Sequence, residues 1–184
     1  GTLGKYVMDH IFRVGIEGEI PGMTEYIEYG RRPGGVYIPR FRNLGGDEDV
    51  GFTPGYGYQG AAFRPTAAPV GFGASMKHGM RKYAPWKFHI GAFGECLPYR
   101  DNSVSLHADK VDRFGVPLMR FDVRFRENEL RMMADARAQG EAMLKAAGLS
   151  NVISSASPHV PGDAIHEMGG ARMGTDPRAS VLNS

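Results

Sequence analysis

The chain has 184 residues, 42% of them apolar and 23% charged, with 22 Lys plus Arg against 20 Asp plus Glu for a formal charge of +2. That length suits one domain of ordinary size, and the composition excludes a disordered chain, a collagen repeat and the run of about 20 apolar residues that a membrane-spanning helix needs. The basic residues are dispersed rather than gathered into the stripe that phosphate binding requires, which argues against nucleic acid as a partner.

A single cysteine, Cys96, cannot close an internal disulfide and has no CxxC companion, so it reads as a small buried hydrophobe. The 26 glycines and 12 prolines exceed ordinary usage of about 7% and 5%. Many turns and close backbone approaches are expected. The chain opens at Gly1 without an initiator Met and stops at Ser184 inside a continuing segment, so both ends are expected to be cuts in a longer polypeptide.

In chain order, residues 1–30 mix short apolar runs with Gly15, Gly18, Pro21 and Gly22, a pattern of short extended segments joined by turns. Val36 and Ile38 alternate with Tyr37 and Pro39, and the proline marks an edge strand. Residues 45–73 combine glycine, proline and the aromatics Phe52, Tyr56, Tyr58, Phe63 and Phe72, which predicts a packed loop or short strands lining a cavity. From Phe88 to Leu97 the period is two: Phe88, Ile90, Ala92, Gly94 and Cys96 form a core face, and His89, Phe93, Glu95 and Leu97 form the other. Ser103–His107 is a second strand. In a third, Leu118–Phe125, Met119, Phe121, Val123 and Phe125 alternate with Arg120, Asp122 and Arg124, leaving one wet face. The period then changes. Leu130, Met133, Ala136, Gly140, Met143 and Ala147 recur at spacings of three and four, predicting a helix near 128–147 with Asn128 as N-cap and Gly148 at C′. The expected class is α+β, an antiparallel sheet with a packed helix.

No GxGxxG follows a strand, and neither a GxxxxGK[ST] loop nor a GxSxG elbow occurs, so a self-contained dinucleotide enzyme is disfavoured. His166-Glu167 begins like HExxH, but position 170 is Gly and no metal site is assigned. His89, Phe93 and Glu95 share a strand face suited to a sugar, which favours an aromatic plane beside hydrogen-bonding groups. Asp9 and His10, adjacent on an extended segment, point to opposite sides and read as structural.

The segment IHEMGGARMGTDPRASVLN, Ile165 to Asn183, meets every fixed position of HxxGGxRMGxDPxxSVxN through His166, Gly169, Gly170, Arg172, Met173, Gly174, Asp176, Pro177, Ser180, Val181 and Asn183. It resembles the closing region of the glucose-methanol-choline (GMC) family of flavin oxidoreductases. LGKYVMDH from Leu3, ECLPYRDNSVSL and DRFGVPLMRFD look like further parts of that family, and GRRPGGVYIPRFRN, Gly30 to Asn43, is nearest to bacterial sugar dehydrogenases of the glucoside 3-dehydrogenase type.

The resemblance implies a substrate-binding sheet domain over residues 1–157 and, over 158–184, the start of a segment returning to an incomplete FAD-binding domain. It implies FAD as cofactor, with His166, Gly169, Gly170, Arg172, Met173 and Gly174 beside it and His89, Phe93 and Glu95 toward substrate. The family's catalytic His and its partner would fall after Ser184, so this chain is assigned no catalytic residue and is expected to be inactive alone. Implied partners are a sugar or alcohol substrate, the remaining parts of the enzyme, and an electron-accepting subunit or cytochrome. The competing reading is a stand-alone carbohydrate-binding module without redox activity.

Overall fold

The structure, a computed structural model, describes residues 1–23, 35–45, 50–65, 71–80, 84–157 and 160–183. Parts of three sequence readings, at 24–34, 46–49 and 66–70, lie outside them. In chain order the elements are β1 (Lys5–Met8), β2 (His10–Glu19), β3 (Val36–Ile38), β4 (Tyr56–Phe63), α1 (Ala74–Met80), β5 (Lys87–Glu95), β6 (Ser103–Val111), β7 (Pro117–Asp122), α2 (Glu127–Ala146), β8 (Ser150–Ala156) and β9 (Met168–Gly170).

The strands form two antiparallel sheets rather than one. Five strands run β3-β4-β5-β2-β8 and four run β7-β6-β1-β9, the chain passing from one sheet to the other between β1 and β2 at Asp9. The edge position expected for Val36–Ile38 holds. Two other expectations need correction. Gly15 and Gly18 lie inside the ten-residue β2 and not at turns, because β5 and β8 pair with it on both sides. The glycine-rich stretch contains the eight-residue β4, whose Tyr56 and Tyr58 are core residues and not a cavity lining.

On one face of the five-stranded sheet lie Ile11, Val14, Ile16, Ile90, Ala92, Tyr56 and Tyr58, all buried beneath α2. Each large apolar side chain so buried contributes about 1.5–3 kcal/mol. The helix presents Glu129, Met132, Met133, Ala136, Gly140 and Leu144, a stripe rotated from the one expected, with Leu130 41% exposed. Close approach explains the rotation: a Cβ on Gly140 would lie 2.6 Å from Cδ1 of Ile16, and one on Gly94 would lie 2.5 Å from Sδ of Met132.

The N-cap is Arg126 and not Asn128, two residues earlier than expected. The Glu129 carboxylate accepts the Arg126 N–H at 2.8 Å and the Leu97 N–H at 3.1 Å. Asn128 instead exchanges two hydrogen bonds with the Thr53 backbone, at 2.9 and 2.8 Å. Gly148 sits at C′ as expected, with φ +81° and the Gly148 and Leu149 N–H groups donating to Lys145 and Leu144 in a Schellman arrangement.

The second sheet differs. Its β6–β7 hairpin keeps the expected alternation, Leu106 opposite Met119 and Val104 opposite Phe121, yet Leu106, Met119 and Phe121 are 68%, 65% and 59% exposed. The face read as core is uncovered, because α2 packs on β2, β5 and β8 of the other sheet.

Candidate functional site

The corner between the sheets is built on Asp9, 1% exposed. Its Oδ1 accepts the His10 N–H at 2.8 Å, and its Oδ2 accepts those of Gly162 at 2.6 Å and Ala164 at 3.2 Å. A buried carboxylate is thus satisfied by backbone donors, and it ties the turn at 162–164 to the sheets. His10 Nδ1 donates to the Gly94 carbonyl at 3.3 Å, and the exposed His166 ring meets the His10 ring edge-on, centroids 5.1 Å apart. Between turn and imidazole, Ile165 takes φ +57°, a left-handed conformation that costs a β-branched residue about 1–3 kcal/mol. Sequence reasoning placed Asp9 and His10 in the framework but had no signal that they hold and touch the His166 segment.

Gly169 and Gly170 follow in β9, at φ +85° and +70°. A Cβ on Gly169 would lie 1.8 Å from the Tyr6 carbonyl oxygen, which no side chain tolerates. The Gly4 N–H donates to the Gly170 carbonyl at 2.6 Å, drawing β9 against β1. This packed glycine edge is the rim of an apolar hollow of about 570 Å³, lined among others by Leu3, Val104, Leu106, Met119, Gly170 and Ala171.

The rest of the motif closes a loop on itself. Arg172 Nε donates to the Ala179 carbonyl at 2.6 Å, and its guanidinium lies 4.1 Å from the Tyr6 ring centroid. The Arg172 carbonyl accepts from Val181 N–H at 2.9 Å, and Gly174 N–H donates to Leu182. Ser180 Oγ donates toward the Gly174 and Asp176 carbonyls, and a Cβ on Gly174 would lie 3.1 Å from that of Ser180. Arg178 pairs with Asp176, whose carboxyl this contact holds below the usual range. Met173 remains 66% exposed. The fixed positions Arg172, Gly174, Asp176 and Ser180 therefore hold backbone, and of the six residues expected beside a cofactor, His166, Gly169, Gly170 and Met173 are the ones that border open surface.

The second candidate surface is the five-stranded sheet's other face. His89, Phe93 and Glu95 all point to it, Phe93 stacking on Phe12 at 6.1 Å. His89 and Glu95 are six residues apart, about 20 Å along a strand, so the three do not converge on one small ligand. The structure sets Glu17, paired with Lys87 at 2.7 Å, and Ser155 nearer to His89.

Two further perturbed groups, Cys96 and Tyr56, are buried. Burial pushes the Cys96 thiol up to about 12, which fits an inert packing residue. Arg42 forks onto Asp135 at 3.0 and 2.9 Å, Tyr56 donates to the same carboxylate at 2.5 Å, and burial raises the Tyr56 phenol well above its usual value. Residues 55–60 have GxGxxG spacing but run from the residue before β4 through its first five residues, with no turn or helix after them to cradle phosphate. Among the described residues no three of His, Cys, Asp or Glu gather as metal ligands, and no helix is long and apolar enough to cross a membrane.

Two antiparallel sheets, one under a helix and the other continued by a glycine-edged motif loop, make an α+β arrangement. Residues 98–184 match the family model of the GMC oxidoreductase C-terminal domain. A curated relative, the 2-methyl-1,2-propanediol dehydrogenase of Mycolicibacterium austroafricanum, is 29% identical over 209 residues, covering 100% of this chain and 34% of that protein. The chain thus spans about a third of the length of that relative. Its second half is therefore similar to the C-terminal domain of GMC oxidoreductases, and the whole chain is similar to part of a dehydrogenase.

Proposed function

We propose that this chain is the substrate-domain part of an FAD-dependent enzyme that oxidises a CH–OH group of a sugar, glycoside or other alcohol. In this reading residues 1–157 form the substrate-facing domain and 158–184 begin the return to an FAD-binding domain supplied by the rest of the enzyme. The observation that carries it is the apolar hollow of about 570 Å³ beside Gly169 and Gly170, where backbone without side chains meets open surface.

The residues fit one part of the cofactor. An apolar wall of Leu3, Leu106 and Met119 with a glycine rim suits the edge of a planar ring, whereas the pyrophosphate needs a turn-and-helix cradle from elsewhere in the enzyme. When bound, FAD supplies the hydride acceptor. This chain's share is positional: Asp9 fixes the 162–164 turn, His10 supports His166 at the site's edge, and the open sheet face carrying His89 and Phe93 excludes water from above the substrate. The diol dehydrogenase supports an alcohol substrate, and the aromatic open face supports a sugar or glycoside. Electrons would leave to an accepting subunit or cytochrome.

The test is made on the full-length enzyme purified in native form. It should show a visible flavin band that bleaches anaerobically on adding 2-methyl-1,2-propanediol or a glucoside. Ala171→Trp, which fills the hollow from an exposed position, should lower flavin content without changing the far-ultraviolet spectrum. A colourless protein that binds glucoside would overturn this reading in favour of a carbohydrate-binding module.

A further inference from the structure

Among the described residues β7 is an outer strand of the four-stranded sheet, paired only with β6, and all six of its residues from Pro117 to Asp122 are exposed. An open strand edge carries a row of unpaired N–H and C=O groups that templates a further strand, and proteins usually blunt it with charged side chains, a bulge or a covering element. Pro117 blocks only the first position of this edge, where it lacks an N–H. Beyond it Met119 and Phe121 share the exposed apolar face with Leu106, while Arg120 and Asp122 share the other. Two charges of one sign would repel a second copy of this edge, but these are opposite in sign and two residues apart.

We propose that β7 pairs antiparallel with β7 of a second copy of this chain, about a twofold axis at Phe121. Directly opposite residues of paired strands share a face, so the axis must fall on a residue and not between two. With Phe121 opposite Phe121, Arg120 stands opposite Asp122 of the second copy, and the symmetry makes that pair twice. On the apolar face Met119 then meets Val123 on either side of the Phe121 pair. The neighbouring registers fail on charge. An axis at Arg120 sets two guanidinium groups opposite each other, and an axis at Asp122 sets carboxylate against carboxylate and Arg120 against Arg124. Like charges directly opposite destabilise a strand pair, which leaves the Phe121 register as the complementary one.

Asp122 also meets Arg124 of its own chain, Nη2 to Oδ1 at 3.1 Å, but both side chains are more than half exposed and such a pair adds little. A carboxylate has two oxygens and accepts a second guanidinium as well. Joined in this way, the two four-stranded sheets become one of eight strands, and Leu106, Met119 and Phe121 of both copies form one continuous apolar face. The inference stands on β7 and not on the proposed reaction.

The test is the mass of the full-length enzyme in solution, by sedimentation velocity over a range of concentrations. The parent should sediment as two copies. Arg120→Asp and Asp122→Arg each set like charges opposite and should each raise the dimer dissociation constant by at least about tenfold, whereas the double swap restores opposite pairs and should return it to within about threefold of the parent. All three change exposed side chains and should keep the parent's far-ultraviolet spectrum. Phe121→Cys places two thiols directly opposite, Cα atoms about 5 Å apart, and should crosslink the copies on oxidation; Met119→Cys sets them about 14 Å apart and should not. A parent that sediments as one copy, as it would if the rest of the enzyme covered this edge, overturns the proposal. So do single swaps that leave the dimer intact, a double swap that stays apart, or crosslinking through Met119→Cys in place of Phe121→Cys. Mass and crosslinking are read without flavin or turnover, so this pairing and the oxidoreductase reading fail separately.

Discussion

Replacing Asp9 should loosen the His166 segment before it loosens either sheet. The carboxylate accepts three backbone N–H groups, those of His10, Gly162 and Ala164 at 2.8, 2.6 and 3.2 Å. A hydrogen bond to a charged group contributes about 1.5–3 kcal/mol, and a buried donor left unpaired costs about 1–3. These do not simply add. Gly162 is exposed, so its N–H recovers water on losing the carboxylate, whereas Ala164 is buried and its N–H does not. Asp9→Ala should therefore lose about 2–4 kcal/mol of stability. Asp9→Asn keeps one acceptor oxygen but turns an amide donor toward an N–H group, and should lose about half as much. Urea denaturation of both variants gives the magnitudes, and amide exchange gives the location: Ala164 should exchange much faster while Ile16 and Ile90 in the core keep their ranking. A loss below about 0.5 kcal/mol for Asp9→Ala, or unchanged exchange at Ala164, would refute the assignment of this carboxylate as the tie between turn and sheets.

Gly169→Ala should be the most damaging small substitution in the motif, because the added methyl meets the Tyr6 carbonyl at 1.8 Å and the backbone φ is +85°; a loss of more than about 3 kcal/mol, with β9 detached from β1 in exchange measurements, is expected. Gly140→Ala sets two effects against each other: alanine gains about 1 kcal/mol of helix propensity, but its methyl lies 2.6 Å from Cδ1 of Ile16, and overpacking of about 1–3 kcal/mol should leave the variant less stable by calorimetry. Stability should fall as pH rises above about 9. The folded state raises the Cys96, Tyr58 and Tyr99 groups to about 12 by burial, so their contribution is complete below the unfolded values and is lost as pH climbs through the folded ones. The ionisation of Tyr58 and Tyr99, isolated as the ultraviolet difference absorbance lost in Tyr58→Phe and Tyr99→Phe, should coincide with alkaline unfolding rather than precede it.

The elements legible in the sequence are those whose period survives intact. β5 and α2 each keep one face uninterrupted, so Ile90, Ala92, Met133 and Ala136 announce their burial. β4 was obscured because Gly55, Gly57 and Gly60 carry no side chain to show alternation, although a Cβ on Gly60 would lie 2.3 Å from the His89 carbonyl and the glycine is there to let the strands close. Residues 150–156 form β8, a strand that pattern reading did not find, because three serines dilute its apolar positions to Val152, Ile153 and Ala156. Glu129 shows a different limit. Periodicity counts it as polar and sets it outside, but with Leu97, Tyr99 and Arg126 donating to its carboxylate it is fully buried at the head of α2.

The motif at 165–183 shows why a resemblance to a family is easier to read than the role of each residue. Several of its fixed positions close the backbone: Arg172 on Ala179, Gly174 against Ser180, and Ser180 on Asp176. A residue fixed by such closure would be retained whether or not a cofactor touched it, so the pattern by itself cannot separate Arg172, which is occupied within the loop, from His166, which meets open surface. Exposure and partners make that separation, and they also give Asp9, which the LGKYVMDH stretch contains, its part as the tie between turn and sheets. The β6–β7 hairpin gives the complementary case. Alternation there states which side chains share a face, but whether that face is covered depends on what packs against it. Leu106, Met119 and Phe121 lie at more than half exposure beside the glycine rim, making an apolar surface of the kind that monomers seldom leave open without an interaction to serve.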